Sequence, residues 1–220
     1  MVFELERQQM IADIESGVAV TRGMTGRDHL NPRVMEAMLR VPREDFVPAG
    51  MRHAAFRDGA LPVGHGQTIS QPYIVALMTD LLDLTDDSVV LEIGTGTGYQ
   101  AAILSQLACR VYTIERIPEL ARAAQQRLDE MGYDNIETRC SDGYLGWPEM
   151  APFDGILVAA AAANVPPALL KQLGPGGRMV IPIGLPHMHQ ELMLVTKDQQ
   201  GKTGSKKILG VAFVPLVEGA

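Results

Sequence analysis

The sequence predicts an α/β fold, a doubly wound and mostly parallel sheet with an antiparallel C-terminal strand pair and an N-terminal helical segment. Three observations predict it. From residue 88 onward, short apolar runs rich in Val, Ile and Leu alternate with helical patterns, the arrangement that builds βαβ units. One of those runs, "SVVLEIG", leads directly into glycines at alternate positions and then a helix. Near the end, "ELMLVTKD" and "SKKILGVAFVPLV" are separated by the turn-rich "QQGKTG", a link too short for the crossover that parallel strands require.

Each element can be justified in order. Residues 1–60 read as helices and loops packed on a main domain of residues 61–220, the two forming one structural unit. "NPRVMEAMLR" opens with Asn31 as N-cap and Pro32 at the first helical position, places Val34, Met35, Met38 and Leu39 on one face, and is closed by Pro42. In "LPVGHGQTISQPYIVALMTDLL", residues 61–82, two alternating glycines and a run of small polar side chains precede a helix that starts just after Ser70. The doubly wound part follows as strand "SVVLEIG", helix "YQAAILSQLA", strand "RVYTIE", helix "PELARAAQQRLDEM", and strands "IETRC" and "FDGILVA". A helix through "PPALLKQL" and a strand "RMVIPIG" complete it before the closing pair.

Composition excludes several classes of function. With 220 residues and 46% hydrophobic content the chain can bury a sizeable core, while a formal charge of −7 and a pI near 5.2 argue against a dedicated nucleic-acid surface. The two cysteines, Cys109 and Cys140, form no CxxC pair and are read as packing residues. Residues 1–17 carry Glu4, Glu6, Asp13 and Glu15, unlike a secretory leader, and no apolar run has the length of a membrane span. A cytoplasmic protein without membrane partners is expected. His187 and His189 alternate as metal ligands can, but they lie in a loop without a third ligand, so no metal is assigned. His65, between Gly64 and Gly66, is read as part of a backbone-shaping loop.

The chemistry starts at "LEIGTGTGYQ". Gly94, Gly96 and Gly98 let a turn approach a ligand without Cβ interference, and the helix that follows aims its first amides the same way. The spacing is GxGxG rather than the GxGxxG of dinucleotide sites, which favours a nucleoside ligand bearing a carboxylate and no pyrophosphate. Glu115 ends the next strand about 20 residues on, where this class of fold offers an acid to ribose hydroxyls. Asp142 and Gly143 end the third strand at the same sheet edge. A tight turn at the glycines, a solvated Glu115 and a turn-forming Asp-Gly pair remain the plain alternatives.

Taken together, "VLEIGTGTGYQAAILS", "GQTISQPYIVALM", "APFDGILVAAAA", "QLGPGGRMVIPIG" and "FVPLV" resemble the protein-L-isoaspartate O-methyltransferases, within the Rossmann-like S-adenosylmethionine-dependent methyltransferases, from roughly Met24 to the end. The "TIS" segment ahead of the glycine loop is the specific part. The resemblance implies methyl transfer from S-adenosylmethionine, leaving S-adenosylhomocysteine, to the free α-carboxylate of L-isoaspartyl residues in damaged proteins and peptides, and a monomer is the expected state. It makes Ser70 the active-site group. It assigns Thr68, Ile69, Glu92, Gly94, Thr95, Gly96, Glu115, Asp142 and Gly143 to the cofactor, with Asp142 and Gly143 on the adenine side. Ser70 also suits the N-cap of the following helix. The chain departs from the family pattern at Ser141, where a glycine is usual, and at Ala163, where a proline is usual. The acceptor cleft is expected between residues 60–72 and the loops at 159–166 and 213–217. The rival readings are the same cofactor loop serving another acceptor, or a non-catalytic S-adenosylmethionine-binding module.

Overall fold

The computed structural model describes residues 3–186, 188–217 and 219. Helix α1 (Glu4–Thr25) begins with Glu4 and Glu6 and ends near Arg22, charges that oppose the helix dipole at each end. It stops at Gly26, whose left-handed backbone lets its N–H donate to the Arg22 carbonyl. Met10, Ile14 and Val18, four residues apart, form its buried stripe. Helix α2 (Pro32–Arg40) starts as the sequence predicts, with the Asn31 side chain accepting from the Arg33 N–H.

Two short 3-10 turns lead to a hairpin of β1 (Leu61–Gly64) and β2 (Gln67–Ile69). Its two-residue turn is His65–Gly66, with φ of 53° and 71°; positive φ at both positions is the type I′ requirement, and it explains His65 as a turn residue. Helix α3 (Pro72–Leu82) is buried along its whole length. Its N-cap is Gln71, so Ser70 is not the cap that the sequence suggested: Pro72 fixes the first helical position and leaves Ser70 one residue too early.

The remaining elements are β3 (Val89–Ile93), α4 (Tyr99–Ser105), β4 (Arg110–Glu115), α5 (Pro118–Glu130), β5 (Ile136–Cys140), β6 (Phe153–Val158), α6 (Pro167–Gln172), β7 (Leu173–Ile183), β8 (Gln190–Lys197) and β9 (Thr203–Val211). Seven strands form one sheet in the order β5-β4-β3-β6-β7-β8-β9. β3 to β7 pair in parallel, and β8 is antiparallel to both β7 and β9. The predicted architecture is therefore the observed one, and the antiparallel region extends over three strands. β7 starts five residues before "RMVIPIG".

Alternation along the parallel strands splits the core between the two sheet faces. Val90, Val111, Leu157 and Val180 join α1, α3 and α4 in one cluster, whereas Leu91, Ile93, Ile114, Ile156 and Met179 join Trp147 and Phe153 in the other. Helix α1 belongs to the first cluster and packs against α3 and β9. It approaches α3 closely at Gly17, where a Cβ would lie 2.9 Å from the Tyr73 ring, and the Thr21 hydroxyl bonds the Tyr73 hydroxyl beside it. Cys109 and Cys140 are both exposed rather than packed, Cys140 because β5 is the sheet edge. Among the described residues, no helix is long and apolar enough to cross a membrane.

Candidate active site

Chain order around β3 reverses at the sheet centre: β4 lies on one side of it and β6 on the other. In open α/β sheets that reversal leaves a crevice beyond the carboxyl ends of the strands. Here a cavity of about 1150 Å³ occupies it. Thr68, Ile69, Ser70, Gly94, Thr95, Gly96, Glu115 and Gly143 all line that one cavity, although they come from the hairpin, the β3–α4 loop and the ends of β4 and β5.

The glycine loop owes its shape to its backbone. Gly94, Gly96 and Gly98 have φ of 95°, 54° and 89°, a region in which residues with a Cβ are strained. The Gly94 and Thr95 amides both donate to the Ile114 carbonyl, and the Gly96 amide donates to Glu115 Oε2 at 2.9 Å. Glu115 Oε1 accepts from the Ile117 amide at 2.9 Å. The carboxylate thus braces the loop to the end of β4 while it faces the cavity. A carboxylate accepts about four hydrogen bonds, so two sites remain for hydroxyls of a ligand. The loop's Gly96 N–H is spent on Glu115 and so is not offered to a ligand.

Two predicted cofactor residues lie off the cavity wall. Glu92 is fully buried beneath the loop, accepting from the Thr113 hydroxyl, which in turn bonds the Thr95 hydroxyl at 2.7 Å. Its other oxygen has no partner. Burial, reinforced by the charge of Glu115 and partly offset by the Thr113 bond, pushes its carboxyl up to about 8. The unfolded chain ionises Glu92 near the ordinary carboxylate value, so wild-type stability falls as pH rises from about 4.5 to about 8 and levels off above. Glu92→Gln removes that term. The melting temperature of the variant is expected to gain on wild type between pH 5 and pH 8.5, by more than about 1 kcal/mol of relative stability; a constant difference across that range would contradict a neutral Glu92.

Asp142 also turns away from the cavity. Its Oδ1 accepts from the Tyr144 amide, capping a 3-10 turn, and its Oδ2 accepts from the Gly219 amide at 2.8 Å. Gly143 is a packing necessity: a Cβ there would lie 2.4 Å from Ile93 Cγ2. Neither departure from the family pattern reaches the cavity wall. Ser141 lines a smaller pocket with Arg116 and Ile117, which themselves border the main cavity, and Ala163 is exposed.

The acceptor side is built from both ends of the chain. Asp13, Ser16, Gly17, Val20 and Thr21 of α1 line the cavity together with residues 209–217; the sequence pointed to residues 213–217 but not to α1. The expected loops do meet: the Ala161 amide donates to the Val214 carbonyl and the Leu216 amide to the Ala161 carbonyl, both at 2.8 Å. Buried Gln190 fastens the closing segment by accepting from the Phe213 amide and donating to its carbonyl. Beneath Ser70, Arg43 donates to its carbonyl at 2.7 Å. Gln190 and Arg43 are polar residues in apolar settings, and no local sequence pattern marks them. His189 lines the cavity and bonds Glu191 at 2.6 Å, whereas His187 lies outside the described residues.

Residues 23–220 match the family model described as protein-L-isoaspartate(D-aspartate) O-methyltransferase (PCMT). The chain belongs to that family. It is 57% identical over 213 residues to protein-L-isoaspartate O-methyltransferase 2 of Syntrophobacter fumaroxidans, covering 97% of this chain and 86% of the relative. The enzyme of the same name from Nitrosococcus oceani is 53% identical, with 95% of each chain covered. Among solved structures, a protein-L-isoaspartate O-methyltransferase superposes with a TM-score of 0.81 at 28% identity, covering 97% of this chain; this chain spans 66% of that longer one. A putative family protein from Plasmodium falciparum, solved in complex with S-adenosyl-L-homocysteine, gives a TM-score of 0.76 at 23% identity over 94% of this chain and 98% of that one, a likeness of fold.

Proposed function

We propose that this chain transfers the methyl group of S-adenosylmethionine to the free α-carboxylate of L-isoaspartyl residues in damaged proteins and peptides. The observation that carries this reading is the meeting of the "TIS" hairpin and the glycine loop on one cavity, in a chain matched to the family over residues 23–220. The residues present fit the cofactor. Gly94, Thr95 and Gly96 would pass under its amino-acid end, Glu115 would take the ribose hydroxyls on its remaining acceptor sites, and Thr68 and Ile69 would flank its reactive centre. Gly143 would lie along the adenine, with Asp142 shaping that turn and Glu92 supporting the loop from below. When bound, S-adenosylmethionine supplies an electrophilic sulfonium methyl and leaves as S-adenosylhomocysteine.

The protein's own share of the work is positioning and exclusion of water. A carboxylate acceptor is already anionic at neutral pH, so no strong general base is required. Ser70 would orient it by a hydroxyl hydrogen bond. The closing segment and α1 would hold the peptide through backbone contacts and shut out water, which strengthens the electrostatics inside. The backbone nitrogen then attacks the ester carbonyl and expels methanol, which takes up the amide proton, and hydrolysis of the resulting succinimide returns part of the material to normal aspartyl linkage. The scarcity and freedom of the cysteines support a cytoplasmic setting.

Methyl-labelled S-adenosylmethionine with two peptides that differ only in isoaspartyl versus aspartyl linkage tests the reading. Base-labile label is expected on the isoaspartyl peptide alone, and Ser70→Ala is expected to reduce its rate roughly tenfold, the scale of one lost orienting bond. Label on neither peptide, with cofactor binding intact, would point to a different acceptor.

A further inference from the structure

Arg43 is one of the largest fully buried side chains of the protein, with 0% exposure. Its Nε donates to the Ala55 carbonyl and its Nη2 to the Ser70 carbonyl, both at 2.7 Å. The guanidinium carbon lies 4.8 Å from the centroid of the Tyr99 ring, and Nη1 has no partner. Among the described residues it has no carboxylate partner. Glu44, next in sequence, is taken by Arg7, and Asp58, whose field also reaches Arg43, accepts from Gln71 at the cavity wall. A buried cation without a counter-ion is costly, and buried charges are ordinarily paired. Ser70 and Tyr99, the residues in front of it, both line the cavity. An anion entering the cavity on the far side of Ser70 and Tyr99 would supply the missing charge.

We propose that Arg43 is a positioning residue whose buried charge draws the acceptor carboxylate to Ser70 and selects it over neutral groups. The proposal rests on the methyl-transfer reading above and adds the source of its carboxylate selectivity. Arg43 fixes the Ser70 backbone by a hydrogen bond and supplies a field that water cannot screen in this location. No covalent step passes through it. Its charge serves the approach and orientation of an anion.

The test uses the full chain saturated with S-adenosylhomocysteine and titrated calorimetrically with an isoaspartyl peptide and with its α-carboxamide counterpart. Wild type is expected to prefer the carboxylate. Arg43→Met and Arg43→Gln are expected to lose that preference by at least about tenfold, the order of one unit charge acting across a partly buried site, because they weaken the carboxylate peptide far more than the carboxamide peptide. Arg43→Lys should recover most of it. Retention of the full preference in Arg43→Gln would overturn the proposal, since a merely structural arginine weakens both peptides alike. Should the neutral variants fail to fold, the wild-type complex decides. The ¹³C-labelled α-carboxyl of the bound peptide must titrate below its free value, and an unshifted titration would refute Arg43 as its partner. Failure of wild type to bind either peptide would instead overturn the methyl-transfer reading itself.

Discussion

Glu115→Ala is expected to raise the S-adenosylmethionine concentration for half-maximal transfer by at least about a hundredfold. The carboxylate accepts from the Gly96 and Ile117 amides and faces the cavity, so its removal frees the glycine loop and deletes the acceptor for the ribose hydroxyls together. Each hydrogen bond to a charged group contributes roughly 1.5–3 kcal/mol, and 1.4 kcal/mol is a factor of ten, so two such losses reach a hundredfold. Glu115→Gln separates the roles, since its amide oxygen can still brace one N–H. The measurement is label incorporation against cofactor concentration for all three proteins at saturating peptide. An unchanged cofactor requirement in Glu115→Ala would remove Glu115 from the binding site.

Gly143→Val acts through packing. The first carbon of the new side chain would sit 2.4 Å from Ile93 Cγ2, and Ile93 is itself buried on the central strand, with Leu216 at 3.4 Å on the other side. Neither neighbour can step aside without moving the floor of the cavity. Overpacking of this kind costs about 1–3 kcal/mol, equivalent to a fall in melting temperature of roughly 3–10 °C for a chain of this size. Thermal unfolding with and without S-adenosylhomocysteine measures both effects. The variant should melt early and gain little from the ligand, whereas normal stabilisation by the ligand would show that the adenine side is elsewhere.

Much of this was legible in the sequence, for local reasons. A strand that runs into alternating glycines and then a helix, with an acid at the end of the next strand, is a pattern contained in about 20 residues. Asn31 and Pro32 specify their helix start just as locally. The short "QQGKTG" link could only join antiparallel neighbours, as it does between β8 and β9. What escaped is non-local. Arg43 meets Ser70 across 27 positions, Gln190 meets Phe213 across 23, and Thr21 of α1 meets Tyr73 across 52. None of these pairings leaves a periodicity to read. Glu92 and Asp142 show a further limit: motif spacing places a residue near a site without saying whether its side chain faces the ligand or supports the residues that do.

Helix α1 and the segment from Leu209 to Val217 line the same cavity, and α1 packs against β9. That arrangement sets an order of events during synthesis. As the chain leaves a ribosome, the glycine loop and Glu115 emerge well before residues 209–217, which line the same cavity as α1. A growing chain therefore exposes the glycine loop before it can close the cavity beside α1.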